Sequence, residues 1–195
     1  MRHRTESVEH GDFSIMNSPT NKPELRKELI AARRALSADA KAQADARIAT
    51  RLKQWLEMQQ VKTLGGYLAI AGEPDLSALY AQLPALGIEL AMPVVLEKDQ
   101  PLVFVRWQAG DALAKDASGT MAPVTRGDYL RPDAVLAPCI GFTESGLRLG
   151  FGGGYFDRTL AQMPRPKAVG IAYAFAKVDF AAEPHDVPLD AIITD

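Results

Sequence analysis

Five glycines crowd into the run Gly146-Leu147-Arg148-Leu149-Gly150-Phe151-Gly152-Gly153-Gly154, which continues as Tyr155-Phe156-Asp157-Arg158. No regular helix or strand tolerates glycine at that density, so the backbone must leave regular structure here. An apolar, strand-like run over residues 133–140 precedes it, and a helical pattern begins near Tyr155. The chain therefore brings a strand end, a glycine loop and a helix start to one place. Glycines permit positive φ and let backbone N–H groups approach an anion, while a helix N-terminus adds partial positive charge. Arg148 can supply a charge-assisted, bidentate contact to phosphate. Two familiar phosphate loops are absent. No G-x-x-x-x-G-K-[ST] string occurs, and G-x-G-x-x-G fails because Tyr155 stands where the third glycine would be needed. A ligand-free strand-to-helix turn is the plain alternative; five glycines beside an arginine argue against it.

Elsewhere short apolar runs alternate with helical patterns. Residues 64–70, 88–95, 102–107, 133–140 and 168–173 read as strands and 75–86 as a helix. Residues 108–131, with Gly110, Gly119, Pro123 and Gly127, read as loops and short strands rather than a linker. This alternation predicts an α/β sheet covered by helices. The 195 residues suit one domain, which can bury roughly 70% of its unfolded surface without disulfides or metal. The expected division is a disordered tail over residues 1–21 and a single domain over 22–195. The tail mixes Arg2, Arg4, Glu6, Glu9 and Asp12 and lacks the apolar core of a signal peptide. A formal charge of −2 argues against a dedicated nucleic-acid binder. The longest apolar runs are strand-length, so no membrane helix is expected. The single cysteine, Cys139, cannot form an internal disulfide, which fits a cytoplasmic protein, and its apolar setting makes it core rather than nucleophile. No heptad or long apolar patch demands a partner, so a monomer is expected.

At the amino-terminal side, Leu25, Leu29, Ala32 and Leu36 give one apolar helical stripe. Ser37 can cap a second helix, with Asp39 in its first turn and Ile48, Leu52, Trp55 and Leu56 on its apolar face to about Gln59. On the first helix Lys22, Arg26 and Arg33 lie at offsets of four and seven, projecting to nearly one side. Such a row is either a solvated basic face or a phosphate-facing one. Asp157, in the first turn after the loop, is either a helix-stabilising charge or a Mg²⁺ ligand beside nucleotide phosphates. Asp186 follows His185 in a polar, proline-bounded segment, and Glu73 lies just beyond the first strand, where α/β proteins place ligand-binding residues.

Together these residues resemble the 5-formyltetrahydrofolate cyclo-ligase family, also called methenyltetrahydrofolate synthetase. Arg148 to Asp157 is similar to its signature, and Lys22-x-x-x-Arg26 to its amino-terminal phosphate-binding motif. Tyr67-Leu68 with Glu73 resembles its folate-site strand and acid, and Pro138-Cys139-Ile140-Gly141-Phe142 the apolar segment before the signature. His185-Asp186 with Leu189-Asp190 matches its carboxyl-terminal segment. The resemblance implies a three-layer α/β sandwich with a mainly parallel sheet, similar to the sugar-phosphate isomerase and CoA-transferase group. It also implies an ATP- and Mg²⁺-dependent ligase that converts 5-formyltetrahydrofolate to 5,10-methenyltetrahydrofolate, releasing ADP and phosphate. By the same resemblance Lys22, Arg26, Arg148, Leu149, Gly150, Phe151, Gly152, Gly153, Gly154, Tyr155 and Phe156 would contact ATP. Leu68, Glu73 and Tyr155 would contact folate, Asp157 and Asp186 would hold Mg²⁺, and Arg148 and Tyr155 would serve catalysis. The chain departs from the pattern at Phe156, where a second tyrosine is common, and at Gly153, where some members carry lysine.

The chemistry agrees with that expectation. An N-formyl carbonyl is a poor electrophile with a poor leaving group, and phosphorylating its oxygen cures both faults. Phosphoryl transfer asks a protein mainly for positioning and charge neutralisation. Lys22, Arg26, Arg148 and a metal would meet that need, and no Ser-His-Asp or Cys-His nucleophile is legible. Two rivals remain at this point: a sugar-phosphate isomerase or CoA transferase on the same fold, and a non-catalytic nucleotide- or folate-binding module.

Overall fold

The computed structural model describes residues 21–125 and 127–195. The expected disordered tail lies outside them except for Asn21, which precedes the first helix and accepts the Leu25 N–H at 3.1 Å. Helix α1 spans Lys22–Ala35 and begins with proline in its first turn, where a missing N–H costs nothing. Helix α2 spans Ala38–Met58, with the Ser37 hydroxyl accepting the Ala40 N–H at 3.2 Å.

Strands β1 (Thr63–Gly65), β2 (Glu89–Val94) and β3 (Val103–Arg106) follow, with helix α3 (Ser77–Tyr80) between the first two. Then come β4 (Leu113–Lys115), β5 (Met121–Pro123), β6 (Tyr129–Leu130), β7 (Ala134–Pro138), β8 (Gly141–Phe142) and β9 (Arg148–Leu149). Helix α4 (Tyr155–Leu160), β10 (Lys167–Ile171) and β11 (Ala191–Ile193) complete the chain. Seven strands form one sheet in the order β11-β10-β7-β1-β2-β3-β6. Its first five strands are parallel; β3 and β6 add antiparallel at one edge.

Burial on both faces explains the continuous apolar runs. Leu64, Leu90, Met92, Leu136 and Val169 pack with Ala44, Ile48, Leu52 and Leu56 of α2 and with Leu79 of α3. The alternate residues Ala91, Val135 and Ala168 face the other way, toward Leu160, Tyr155 and Phe156 of α4. This period-two division makes the sheet the middle of three layers, the helix-covered α/β sheet expected from the alternation and the mainly parallel sandwich implied by the resemblance. Cys139 is fully buried, and burial pushes its thiol up to about 12, as a core cysteine requires.

Two elements differ from the sequence expectation. The first strand ends at Gly65 instead of running to residue 70, because the Tyr80 phenol replaces a neighbouring strand. It accepts the Tyr67 N–H and donates to the Tyr67 carbonyl, both at 3.1 Å, and the chain leaves the sheet with its polar groups satisfied. The segment 75–86 forms the short α3 and a 3₁₀ turn at Leu83–Leu86 rather than one helix, broken at Pro84. Strand β11, whose three apolar residues are too short a run to read as a strand alone, is defined by pairing with β10.

Candidate active site

The carboxyl ends of the parallel strands open into one cleft of about 890 Å³, within the size range of ligand pockets. Leu68 and Glu73 reach it after β1, Met92 and Pro93 from β2, and Pro138 from β7. Opposite stands the glycine loop. Lys22, Arg26, Leu68, Glu73, Arg148, Leu149, Gly150, Phe151, Gly152, Gly153, Gly154, Tyr155, Phe156, Asp157 and Asp186 all line this cleft. Residues separated by more than 160 positions in sequence are thus neighbours in space, as the 3.2 Å approach of Lys22 to Asp186 illustrates.

Packing of α1 explains how Lys22 and Arg26 arrive there. Leu25 and Leu29 pack in a cluster with Phe142 of β8 and Leu149 of β9, and Gly141 leaves room for the Leu29 side chain. The glycine loop starts directly after Leu149, so the first turns of α1 lie beside it. Arg26 Nε donates to the Gly150 carbonyl at 2.7 Å. Lys22 pairs with Glu183 at 2.9 Å and with Asp186 at 3.2 Å. Arg33 does not join them. Seven residues on is about 10 Å further along the helix axis, which carries the side chain past the loop. There it is 2% exposed and donates to the Cys139 carbonyl, and it does not line the cleft.

The loop itself is shaped to receive an anion. Gly152 and Gly154 hold φ of +95° and +66°, conformations that favour glycine. Among the described residues, no backbone carbonyl accepts the N–H groups of Phe151, Gly152, Gly153 or Gly154. Four free donors in a glycine turn are the makings of an anion nest. With only six residues, α4 adds little dipole, so the positive field comes chiefly from arginines rather than from the helix end. Arg148 is nearly buried, pairs with Asp157 at 2.9 Å and lies 5.2 Å from the Phe156 ring centroid. A side chain at position 150 would collide with its guanidinium.

Glu73 is the most perturbed acid in the cleft. It is 2% exposed, and among the described residues its carboxyl accepts one hydrogen bond, from the Ile70 N–H at 3.0 Å. Burial raises its pKa from an ordinary 4.5 to about 7, against the opposing pull of that bond and of the Arg33 and Arg148 charges. Arg148 therefore lies against the glycine loop and also acts electrostatically on Glu73. Burial in turn lowers the Arg33 pKa, with Glu73 the leading charge that opposes the fall.

Asp157 and Asp186 bring two hard carboxylates to the cleft, paired with Arg148 and Lys22 respectively. Among the described residues no three His, Cys, Asp or Glu side chains converge as a metal cage. This donor set still fits Mg²⁺, which takes one or two carboxylates together with phosphate oxygens and water. Several further residues line the cleft beyond those expected from the sequence. Ser118, Thr120 and Met121, in the β4–β5 hairpin, overhang the cleft in a stretch read as irregular. The Asp116-x-Ser118-Gly119-Thr120 string was a legible turn signal: Asp116 Oδ1 accepts the N–H groups of both Ser118 and Thr120. Arg158 was missed although it ends the glycine run.

The family model described as "5-formyltetrahydrofolate cyclo-ligase family" matches residues 18–195. A 5-formyltetrahydrofolate cyclo-ligase of Mycoplasma pneumoniae is 34% identical over 179 residues, covering 90% of this chain and 99% of that protein. The Escherichia coli K12 cyclo-ligase is 30% identical over 170 residues, covering 83% and 93%. Among solved structures, the Aquifex aeolicus 5,10-methenyltetrahydrofolate synthetase superposes with a TM-score of 0.75 at 30% identity, over 88% of each chain. The Mycoplasma pneumoniae synthetase superposes with a TM-score of 0.72 at 31% identity, over 90% of this chain and 99% of that one.

Proposed function

Because the chain belongs to the 5-formyltetrahydrofolate cyclo-ligase family, we propose that this cleft converts 5-formyltetrahydrofolate to 5,10-methenyltetrahydrofolate at the expense of ATP. The observation that carries the reading is that Arg148, an anion-ready glycine loop and the buried acid Glu73 line one cleft. The free N–H groups of the loop, with Lys22, Arg26 and Arg148, hold the triphosphate. Leu68 and Tyr155 bound the folate, and Glu73 accepts hydrogen bonds from its N–H donors. The formyl oxygen attacks the γ-phosphorus, the bond from that phosphorus to ADP breaks, and ADP leaves. N10 then adds to the activated formyl carbon and gives up its proton. The carbon–oxygen bond breaks, and phosphate departs with the electron pair.

Arg148 and the loop donors neutralise charge on the transferring group, which is the main demand of phosphoryl transfer. Asp157 and Asp186 hold Mg²⁺, whose chemistry when bound is to offset the charge of the phosphates. Residues 22–195 act as one unit and as a monomer. Purified protein with ATP, Mg²⁺ and 5-formyltetrahydrofolate should develop the near-ultraviolet absorbance of the methenyl product. Product formed without ATP would sink the phosphoryl-transfer mechanism. ATP binding without any product would make the protein a binding module instead.

A further inference from the structure

Arg158 stands on α4 but folds back over the loop that precedes it. Its Nη2 donates to the Gly153 carbonyl at 2.6 Å, and its guanidinium lies 5.3 Å from the Tyr155 ring centroid. Gly154 leaves the space it occupies, since a Cβ there would meet Nη1 at 2.8 Å. The side chain lines the cleft, and 35% of it remains exposed. Arg26 does the same from the opposite end of the loop by holding the Gly150 carbonyl at 2.7 Å. In a trans peptide the carbonyl and the following N–H point in opposite directions. The two arginines thus fix the orientation of two loop peptides, 150–151 and 153–154, and so of the Phe151 and Gly154 N–H donors.

Lys22 and Arg148 have carboxylates within 3.2 Å, whereas Arg158, like Arg26, rests on a loop carbonyl and has no carboxylate that close among the described residues. Its one carboxylate partner among the described residues is Asp99, 3.6 Å away and 70% exposed, an arrangement that is worth little in water. Its Nε is buried and finds no acceptor. A guanidinium seated on the loop, supported by an aromatic ring and short of an anion, is arranged to receive one.

We infer that Arg158 is a further nucleotide-binding residue, contacting the ATP phosphates from the carboxyl-terminal end of the glycine loop. This rests on the cleft being the ATP site, and it assigns a cation to the part of the loop where Gly153 offers no side chain. The fork geometry matters, because one guanidinium can keep the Gly153 carbonyl while presenting other N–H groups to phosphate. A lysine retains the charge and loses the fork.

The test is calorimetric binding of ATP and of AMP to the full chain, with Arg158→Ala and Arg158→Lys compared against wild type. Loss of one charge-assisted phosphate contact should weaken ATP binding by about 10- to 100-fold in Arg158→Ala. AMP, which lacks the outer phosphates, should lose far less, the KM for 5-formyltetrahydrofolate should stay within about twofold, and Arg158→Lys should recover part of the ATP affinity. Unchanged ATP affinity in Arg158→Ala would overturn the inference. So would equal losses for ATP and AMP, which would make Arg158 a mere support for the loop. Wild-type protein that binds no ATP would instead overturn the underlying reading of the cleft.

Discussion

Replacing Glu73 by glutamine should stabilise the protein while impairing it, with a gain that depends on pH. Burial raises the Glu73 pKa from 4.5 to about 7, so the folded protein holds this proton more tightly than the unfolded chain does. The stability linked to that proton is complete below pH 4.5 and is lost as the pH rises through 7. At 1.36 kcal/mol per pKa unit the loss has a ceiling of about 3 kcal/mol. Glutamine is neutral throughout and keeps an oxygen for the Ile70 N–H, so it escapes the penalty. Wild type and Glu73→Gln should melt within about 2–3 °C of each other near pH 5 and diverge toward pH 8. A chain of this size moves about 2–4 °C per kcal/mol, giving a gap of up to about 6–12 °C. Thermal scans by calorimetry at pH 5, 6, 7 and 8 measure it. In parallel, wild-type kcat/KM for the folate should fall as the pH drops through about 7, while the variant stays low and flat. A gap that does not change with pH, or a variant that melts lower at pH 8, would refute the claim that an uncompensated carboxylate is stored here. Retaining such a group against its own cost is expected of a site residue rather than of a core one.

Arg148→Ala should reduce kcat/KM for ATP by about 100-fold or more, as losing a positioned charge at a transferring group does. Steady-state kinetics beside a thermal scan would check it, and unfolding with unchanged residual turnover would make the arginine structural. Asp157→Asn should raise the Mg²⁺ concentration needed for half-maximal turnover. A Mg²⁺ titration identical to wild type would leave Asp157 only the task of pairing with Arg148.

Features set by local chemistry were legible in the sequence. The three- and four-residue spacing of Leu25, Leu29, Ala32 and Leu36 marks α1, and the capping hydroxyl of Ser37 marks the start of α2, so both helices are placed to within a residue or two. The glycine run declared itself because loop conformation depends on residue type alone, and the alternation of apolar runs implied a sheet buried on both faces. The four-residue spacing of Lys22 and Arg26 put both beside the loop. Spacing says nothing of depth, however, and Arg33 on the same helix face is buried away from the cleft lining.

Tertiary structure alone decided what depends on a distant partner. Where β1 stops was set by the phenol of Tyr80, thirteen residues away, and β11 exists by virtue of the strand it joins. The proton on Glu73 answers to burial and to two arginines from other elements. The direction of Arg158 was likewise invisible, since its Cα position permits many rotamers and the loop carbonyl and Tyr155 ring select one. Residue type and spacing determined which groups the chain owns; desolvation and long-range contact decided their charge, depth and aim.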